Sequence, residues 1–453
     1  MQLNRREMMI GGAGAGVGLA ASAGIRPSPV MAAEDGGTAI STATFGAQPG
    51  TDDDQTAAFQ KAIDTAAQQG KVLHVPSGEY RVAGLTLPSG THISGVHGKS
   101  ILHFTSPEAG LSSRSASNVQ LSGLVLKGSD AAAAHANPSA ALFHAEDVED
   151  LHVMACRFSR GSGNGITLIR CAGQVTDNDI GNAPQTGLFC NDSSGLAISH
   201  NHVHACGNNG IQVWRSKPDE DGTIISFNRV EAIGASDGGS GQNGNGINVF
   251  RAGSVQVAGN RIADCVFSAI RGNAASNFLV TGNSCARLGE VAIYAEFGFE
   301  GTVIANNIVD KAATGISITN FNEGGRMAVV QGNLIRNLFL RGKKRGVGIA
   351  VEADAMVSGN VVEGAPGGGI MVGWGKYLRD VNVSGNLVRE ARVGIGVSAS
   401  PDAGYAYVTN NMLSVTAEGG IRAMDHEKLL GPDLAKTSSE SYRNMAVFGN
   451  VSL

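Results

Sequence analysis

One octapeptide pattern governs this chain. Residues Val255 to Ile262 read Val-Gln-Val-Ala-Gly-Asn-Arg-Ile, and Ala269-Ile270 follow nine residues after Asn260. Variants recur from about residue 119 to the C-terminus, with Asn178, Asn201, Asn228, Asn260, Asn283, Asn306, Asn333, Asn360, Asn386, Asn410 and Asn450 at the same place and Leu124 and Cys156 in two earlier copies. Most spacings are 22–27 residues. A fixed period of this size means a solenoid, in which each coil buries its apolar face only against its neighbours.

Each repeat carries two strand signals. The first ends at Gly-Asn, as in Val381-Asn382-Val383-Ser384-Gly385-Asn386. The second starts at Gly-Ile or its equivalent, as in Gly210-Ile211, Gly246-Ile247 and Gly348-Ile349. Apolar residues alternate along both, so one face points inward. Gly and Asn tolerate the positive φ of a sharp corner, and Asn side chains stacked from rung to rung can bond one another. The Asn column is therefore structural. The expected fold is an all-β solenoid: a single-stranded right-handed parallel β-helix of about twelve coils with an N-terminal α/β cap. Glycine, at 64 of 453 residues, is near twice its usual share, and charged residues are 16%, which suits stacked short strands with many tight corners.

The totals exclude several classes. A net charge of −5 supplies no basic footprint for nucleic acid. No apolar run reaches the ~18 residues of a membrane span. Six cysteines contain no CxxC pair, so they read as buried packing groups, with no disulfide expected between Cys206 and Cys265.

The N-terminus has the layout of an export signal. Arg5-Arg6 precede a mild Gly/Ala-rich run from Gly11 to Gly24, and small residues follow at Ala32-Ala33. The paired arginines and weak apolar core resemble a twin-arginine signal. Cleavage near Ala32 or Ala33 would leave a periplasmic or secreted protein, with the twin-arginine translocase as partner during export. That route carries folded cargo, so a cofactor loaded before export is compatible with it. The sequence itself requires none, and calcium is compatible. The expected organisation is a signal over 1–33, a cap and first coils over 40–110, and repeats over 111–453. Longer excursions fall at 215–222, 234–245, 338–347 and 425–442, the last a candidate C-terminal cap.

A helix is expected over Thr56 to Gln69, with Phe59, Ala62, Ile63 and Ala66 at helical spacing and Gly70 ending it. Strands follow at Val72–Val75, Tyr80–Val82 and His92–Gly95. Thr51-Asp-Asp-Asp-Gln-Thr-Ala-Ala-Phe-Gln-Lys-Ala-Ile63 with Val75-Pro-Ser-Gly-Glu-Tyr80 resembles the N-terminal cap of the pectate-lyase-like superfamily. That group includes polysaccharide lyases, uronan epimerases, family 28 glycosidases and phage tailspikes. The resemblance implies the fold but transfers no catalytic residue. The chain as a whole is similar to the twin-arginine-translocated repetitive proteins, which implies no activity.

Aligned second strands give the outward residues. Gln212, Asn248, Arg271, Tyr294, Ser317 and Ala350 should form one column, with Trp214, Phe250, Asn273, Glu296, Thr319 and Glu352 beside it, at ~4.8 Å per rung. Arg215 and Arg251 lie one position further on, and the 215–222 and 234–245 excursions flank the same region. A polar and aromatic patch on a rigid sheet suits a polysaccharide. A uronan lyase or epimerase needs a cation on the substrate carboxylate, a base and a proton donor. Arg271, Arg251 and Arg215 are candidate cations, Tyr294 a proton-transfer group, and Glu296 a carboxylate of the same patch. Trp214, Arg215, Lys217, Asn248, Phe250 and Asn273 are candidate binding residues. A glycosidase needs two carboxylates ~5–9.5 Å apart. Glu296 and Glu352, two rungs apart, fit that less well, so lyase or epimerase chemistry ranks above hydrolysis. A non-catalytic carbohydrate-binding or surface protein is the alternative, and a cofactor carrier a third. Asp177-Asn178-Asp179 beneath His200-Asn201-His202-Val203-His204 is a candidate metal constellation, with Asp177 stacked by His200 and Asp179 by His202, but it reads as variable, exposed corner residues, and no metal site is assigned.

Overall fold

The computed structural model describes residues 38–453 except 130–136, 138, 240 and 343. The expected export signal, 1–33, lies outside the described residues. From Ala39 onward almost every strand pairs in parallel with the strand one coil before it and the strand one coil after, in one continuous ladder. The chain is a right-handed parallel β-helix of about thirteen turns.

The core is a set of stacked columns. Val175, Ile198, Ile225, Val257, Val280, Ile304, Val330, Val357, Val383 and Val408 occupy one register position on successive coils and are fully buried. β-branched side chains fit because the pleat holds each against its copy one rung away. The Gly-Ile strands behave alike: Ile166, Leu188, Ile211, Ile247, Ile270, Ile293, Ile316, Ile349, Ile370, Ile395 and Ile421 stack in register. All six cysteines are buried and free.

The asparagine ladder forms as expected. In each member after Asn178, whose Oδ1 accepts from the Cys156 N–H, Oδ1 accepts from the backbone N–H and from Nδ2 of the Asn one rung earlier. Asn228 Oδ1 does so at 3.0 Å from both Asn201 groups, while Asn201 Nδ2 also donates to Val175 O at 2.8 Å. Two members differ from the sequence register. Asn307 and Asn411, not Asn306 and Asn410, point into the ladder. The turn before each ladder residue takes one left-handed residue, a glycine in most coils. Where Ala305-Asn306-Asn307 and Thr409-Asn410-Asn411 lack that glycine, the first Asn adopts φ 57° and the second turns inward.

The helix Thr56–Gln69 covers the first coil through Phe59, Ala62, Ile63 and Ala66, and ends on Gly70 at φ 62°. Phe59 meets Tyr80 edge to face at 5.1 Å. At the other end, Asp433 accepts from the N–H groups of Gly420 and Ile421 at 2.9 Å, and Leu434 is buried beside them. These contacts satisfy strand donors that the last coil would leave open. No described helix is long and apolar enough to cross a membrane.

Candidate functional site

The outward columns lie where the repeat put them. The register runs Gln212–Asn248–Arg271–Tyr294–Ser317–Ala350, and beside it Trp214–Phe250–Asn273–Glu296. Exposure differs from that of an open sheet. Gln212, Asn248, Arg271, Glu296 and Ser317 are all buried. Over Asn248 and Arg271 the cover is the 234–245 excursion, which folds across this part of the face. Asn248 Nδ2 donates to Gly241 O at 3.1 Å and Gln242 O at 3.2 Å, and Asn209 Nδ2 donates to Gln242 O at 2.7 Å.

The other excursions have their own form. The segment expected as a loop at 215–222 is largely strand. Asn209–Glu220 is continuous, with an irregularity between Trp214 and Asp219 where it pairs with Asn245–Gly253. The extra residues fit because the strand bulges while its partner continues. At 338–347, Leu340–Arg341 and Lys344–Arg345 make a short antiparallel hairpin, and Arg341 reaches back to Gly289 O at 3.0 Å.

Two clefts meet along this face. The first, about 360 Å³, is lined by Trp214, Gln242, Asn248, Phe250, Arg271, Asn273, Glu296 and Phe297. Trp214 stands edge to face with Phe189 at 5.7 Å and with Phe250 at 5.5 Å. Its buried indole N–H has no acceptor among the described residues. The second, about 390 Å³, is lined by Glu290, Tyr294, Ser317, Thr319, Glu352 and Trp374 among others. Arg271 and Tyr294 form the wall between them, with the guanidinium carbon 5.0 Å from the ring centroid.

Arg271 is held by two carboxylates. Its Nε donates to Glu296 Oε1 at 2.6 Å, and its Nη1 lies 3.5 Å from Glu290 Oε2. Asn273 Nδ2 adds a bond to the same Glu296 oxygen at 3.1 Å. The one guanidinium thus brings Glu290 and Glu296 to the same place. Burial raises the Tyr294 hydroxyl above its usual value of 10, with the Glu296 and Glu290 charges adding to the shift and Thr319 and Arg271 opposing it. Burial also raises Glu352, although its carboxylate accepts from Phe321 N–H at 2.7 Å.

Arg271, Asn273, Glu296, Asn248, Trp214 and Phe250 thus share one cleft, and Tyr294 belongs to the next. Arg215, Lys217 and Arg251 line neither. Arg215 is drawn to Asp221, with Nη1 to Oδ2 at 3.6 Å, and Arg251 Nη1 donates to Ser216 O at 3.0 Å, so both arginines brace the bulge. Lys217 is exposed. Glu290 and Trp374 escaped the sequence reading. A signal for Glu290 existed: it is an acid two residues before an Ala-Ile strand start, where the two preceding coils have Gly244 and Phe267. Trp374 follows a strand end and has no counterpart in the repeat.

The family model for "Rhamnogalacturonase A/epimerase, pectate lyase-like" matches residues 39–266, half of the chain. The chain belongs to this pectate-lyase-like family. A second model, for right-handed β-helix regions, matches residues 220–388 of the same pectate-lyase-like chain. No curated protein matches it. Among solved structures it is similar to pre-mature bacteriophage phi29 gene product 12, at TM-score 0.51 and 15% identity over 85% of this chain and 55% of that one. The N-terminal fragment of that phage protein matches at TM-score 0.51 and 14% identity, over 91% of this chain and 70% of the fragment. Tailspike protein 2 of Escherichia coli O157:H7 bacteriophage CAB120 matches at TM-score 0.49 and 16% identity, over 71% of this chain and 42% of that one. The chain thus spans about half the length of the full-length phage proteins it matches. The first two likenesses show the shared fold of this pectate-lyase-like chain.

Proposed function

We propose that this chain binds an extended polysaccharide along the face from Trp214 to Trp374 and modifies it at the Glu290–Arg271–Glu296 cluster beside Tyr294. The observation that carries the reading is Arg271, a buried cation shared by two carboxylates where two clefts meet. The family's named activities, rhamnogalacturonase and epimerase, agree with it. So does the aromatic wall of Trp214 and Phe250, because flat rings stack on sugar faces. The twin-arginine pattern at Arg5-Arg6 supports export to the periplasm or beyond the cell.

In a lyase or epimerase, a uronate carboxylate takes the looser of the two positions on Arg271, the one Glu290 holds at 3.5 Å. Glu290 then serves as base and Tyr294 as proton donor. The cluster of one arginine and two glutamates is net negative, so an added cation such as calcium would help a charged sugar bind. A second reading, hydrolysis of a neutral glycan, rests on the two carboxylates, Glu290 and Glu296, gathered at Arg271.

The test mixes purified protein with a panel of uronic-acid and neutral polysaccharides, with and without calcium. Absorbance near 235 nm reports β-elimination, new reducing ends report any cleavage, and NMR reports epimerisation. A rise at 235 nm that Arg271→Ala and Tyr294→Phe abolish supports the first chemistry. Reducing ends without that rise support the second. Binding without either product leaves a carbohydrate-binding protein, and no binding to any polymer refutes the proposal.

A further inference from the structure

A cluster of two imidazoles and a carboxylate lies apart from that face. Asp179 sits on the strand Asp179–Gly181. His202 and His204 sit on the next rung, with Asp179 paired to His202 and Gly181 to His204. These are strand residues. Only Asp177 and His200 take the left-handed corner, at φ 58° and 57°. Alternation along the strands turns all three side chains outward to one side.

Their donor atoms converge. Asp179 Oδ1 is 3.3 Å from His204 Nε2, and Oδ2 is 3.9 Å from His202 Nδ1. One ligand atom from each residue falls within 4.8 Å of the others. With bonds of about 2.0–2.2 Å, small side-chain rotations bring all three onto one ion. His202 is oriented for this. Its other nitrogen, Nε2, is 2.9 Å from Glu231 Oε1. Arg229 holds Glu231 in place through Nε at 3.0 Å and Nη2 at 2.9 Å. With Nε2–H donating to Glu231 Oε1, the Nδ1 lone pair faces Asp179. A carboxylate behind a ligating imidazole is the usual support of a metal-bound histidine.

Gly181 completes the arrangement, because a Cβ there would stand 2.3 Å from His204 Cε1. The glycine lets the imidazole lie over the rung that carries Asp179. A cavity of about 250 Å³ lined in part by Asp179, His202 and Arg157 leaves space for water to complete the coordination. Arg157 opposes a cation, but its Nε is 3.9 Å from Asp179 Oδ1 and leaves Oδ2 open.

We propose that Asp179, His202 and His204 bind one divalent transition-metal ion of the zinc class, with water in the remaining positions. Two imidazoles and one carboxylate favour zinc, nickel, cobalt or copper over calcium and magnesium, which prefer all-oxygen sites. The site is independent of the polysaccharide reading.

The test titrates tag-free full chain, stripped with EDTA and dialysed, with zinc by calorimetry and with cobalt by visible absorption. One saturable ion per chain is expected. Asp179→Ala and His204→Ala should each weaken binding at least 30-fold, and Glu231→Gln about 10- to 100-fold, the usual effect of losing a supporting carboxylate. Arg157→Ala should tighten it. His152→Ala, a histidine on another strand, should leave it unchanged, and circular dichroism should show every variant folded. No saturable zinc or cobalt binding at millimolar metal, unchanged binding in the Asp179→Ala/His204→Ala double variant, or preference for calcium over zinc would each overturn the proposal.

Discussion

Arg271 Nε donates to Glu296 Oε1 at 2.6 Å, and the two side chains are only 7% and 4% exposed. Water screens this pair little, so removing one partner strands a buried charge. Arg271→Met should destabilise the protein by about 3–5 kcal/mol, the usual cost of breaking a buried pair from one side. Glu296→Gln should cost less, because its amide oxygen still accepts from Asn273 and Arg271. Urea unfolding of the three proteins gives the comparison, and equal midpoints would show the pair to be energetically idle.

The asparagine ladder predicts a local effect. Asn260 Oδ1 accepts from Asn228 N–H and Nδ2, and Asn260 Nδ2 donates to Ile225 O and Asn283 Oδ1. Asn260→Ala leaves the buried Asn228 N–H without its side-chain acceptor, at about 1–3 kcal/mol, while Asn283 Oδ1 keeps the backbone N–H of residue 260 and Asn228 Nδ2 keeps Ile198 O. A solenoid couples mainly nearest neighbours. Hydrogen exchange should therefore accelerate around Asn228, Asn260 and Asn283 and stay unchanged in the terminal coils.

The corners separate backbone cost from steric cost. Gly385 has φ 66° and open space around it, so Gly385→Ala should cost about 1–2 kcal/mol through the backbone alone. Gly259 has φ 67°, but a new Cβ would meet the Phe227 ring at 2.7 Å. Gly259→Ala should cost more, and thermal melts of the two variants give the order.

Glu352 predicts a pH dependence. Its folded-state carboxyl is raised by burial, so the native state holds its proton more tightly than the unfolded chain does. That contribution is fully present below the ordinary Glu value of 4.5 and is lost as pH rises through the folded-state value. Glu352→Gln removes the titration and still accepts from Phe321. Its stability relative to the parent should increase between pH 4.5 and pH 7, measured by urea midpoints. A constant difference would mean the group does not titrate as described.

The cysteines should be inert in the folded state. Burial pushes the Cys156, Cys206 and Cys285 thiols up to about 12 and raises the other three as well. The thiolate is the reactive form. A thiol-specific chromogenic reagent should modify none of the six in native protein and all six in guanidinium chloride.

Much of this molecule was legible in one dimension. The Gly-Asn period fixed the coil, the alternation fixed which residues face inward, and the two together placed Arg271 beside Tyr294 and Asn273 beside Glu296. Such pairings are readable because a solenoid makes contacts at a near-constant sequence separation. Where a coil has two consecutive asparagines and no corner glycine the count slipped by one, and Asn306 stood in for Asn307 until the backbone showed which residue was left-handed.

The tertiary structure decided what crosses that period. The 234–245 excursion folds back over Asn248 and Arg271 and turns an exposed patch into a cleft. The period carries no information about the path of such an insertion. Glu290 joins Arg271 because its side chain leans across one rung, and His204 joins Asp179 because Gly181 leaves room for an imidazole. The sequence alone determined the repeating backbone, whose local hydrogen bonds and apolar alternation recur every coil. The sites depend on single departures from that repeat, and their partners were set by packing in three dimensions.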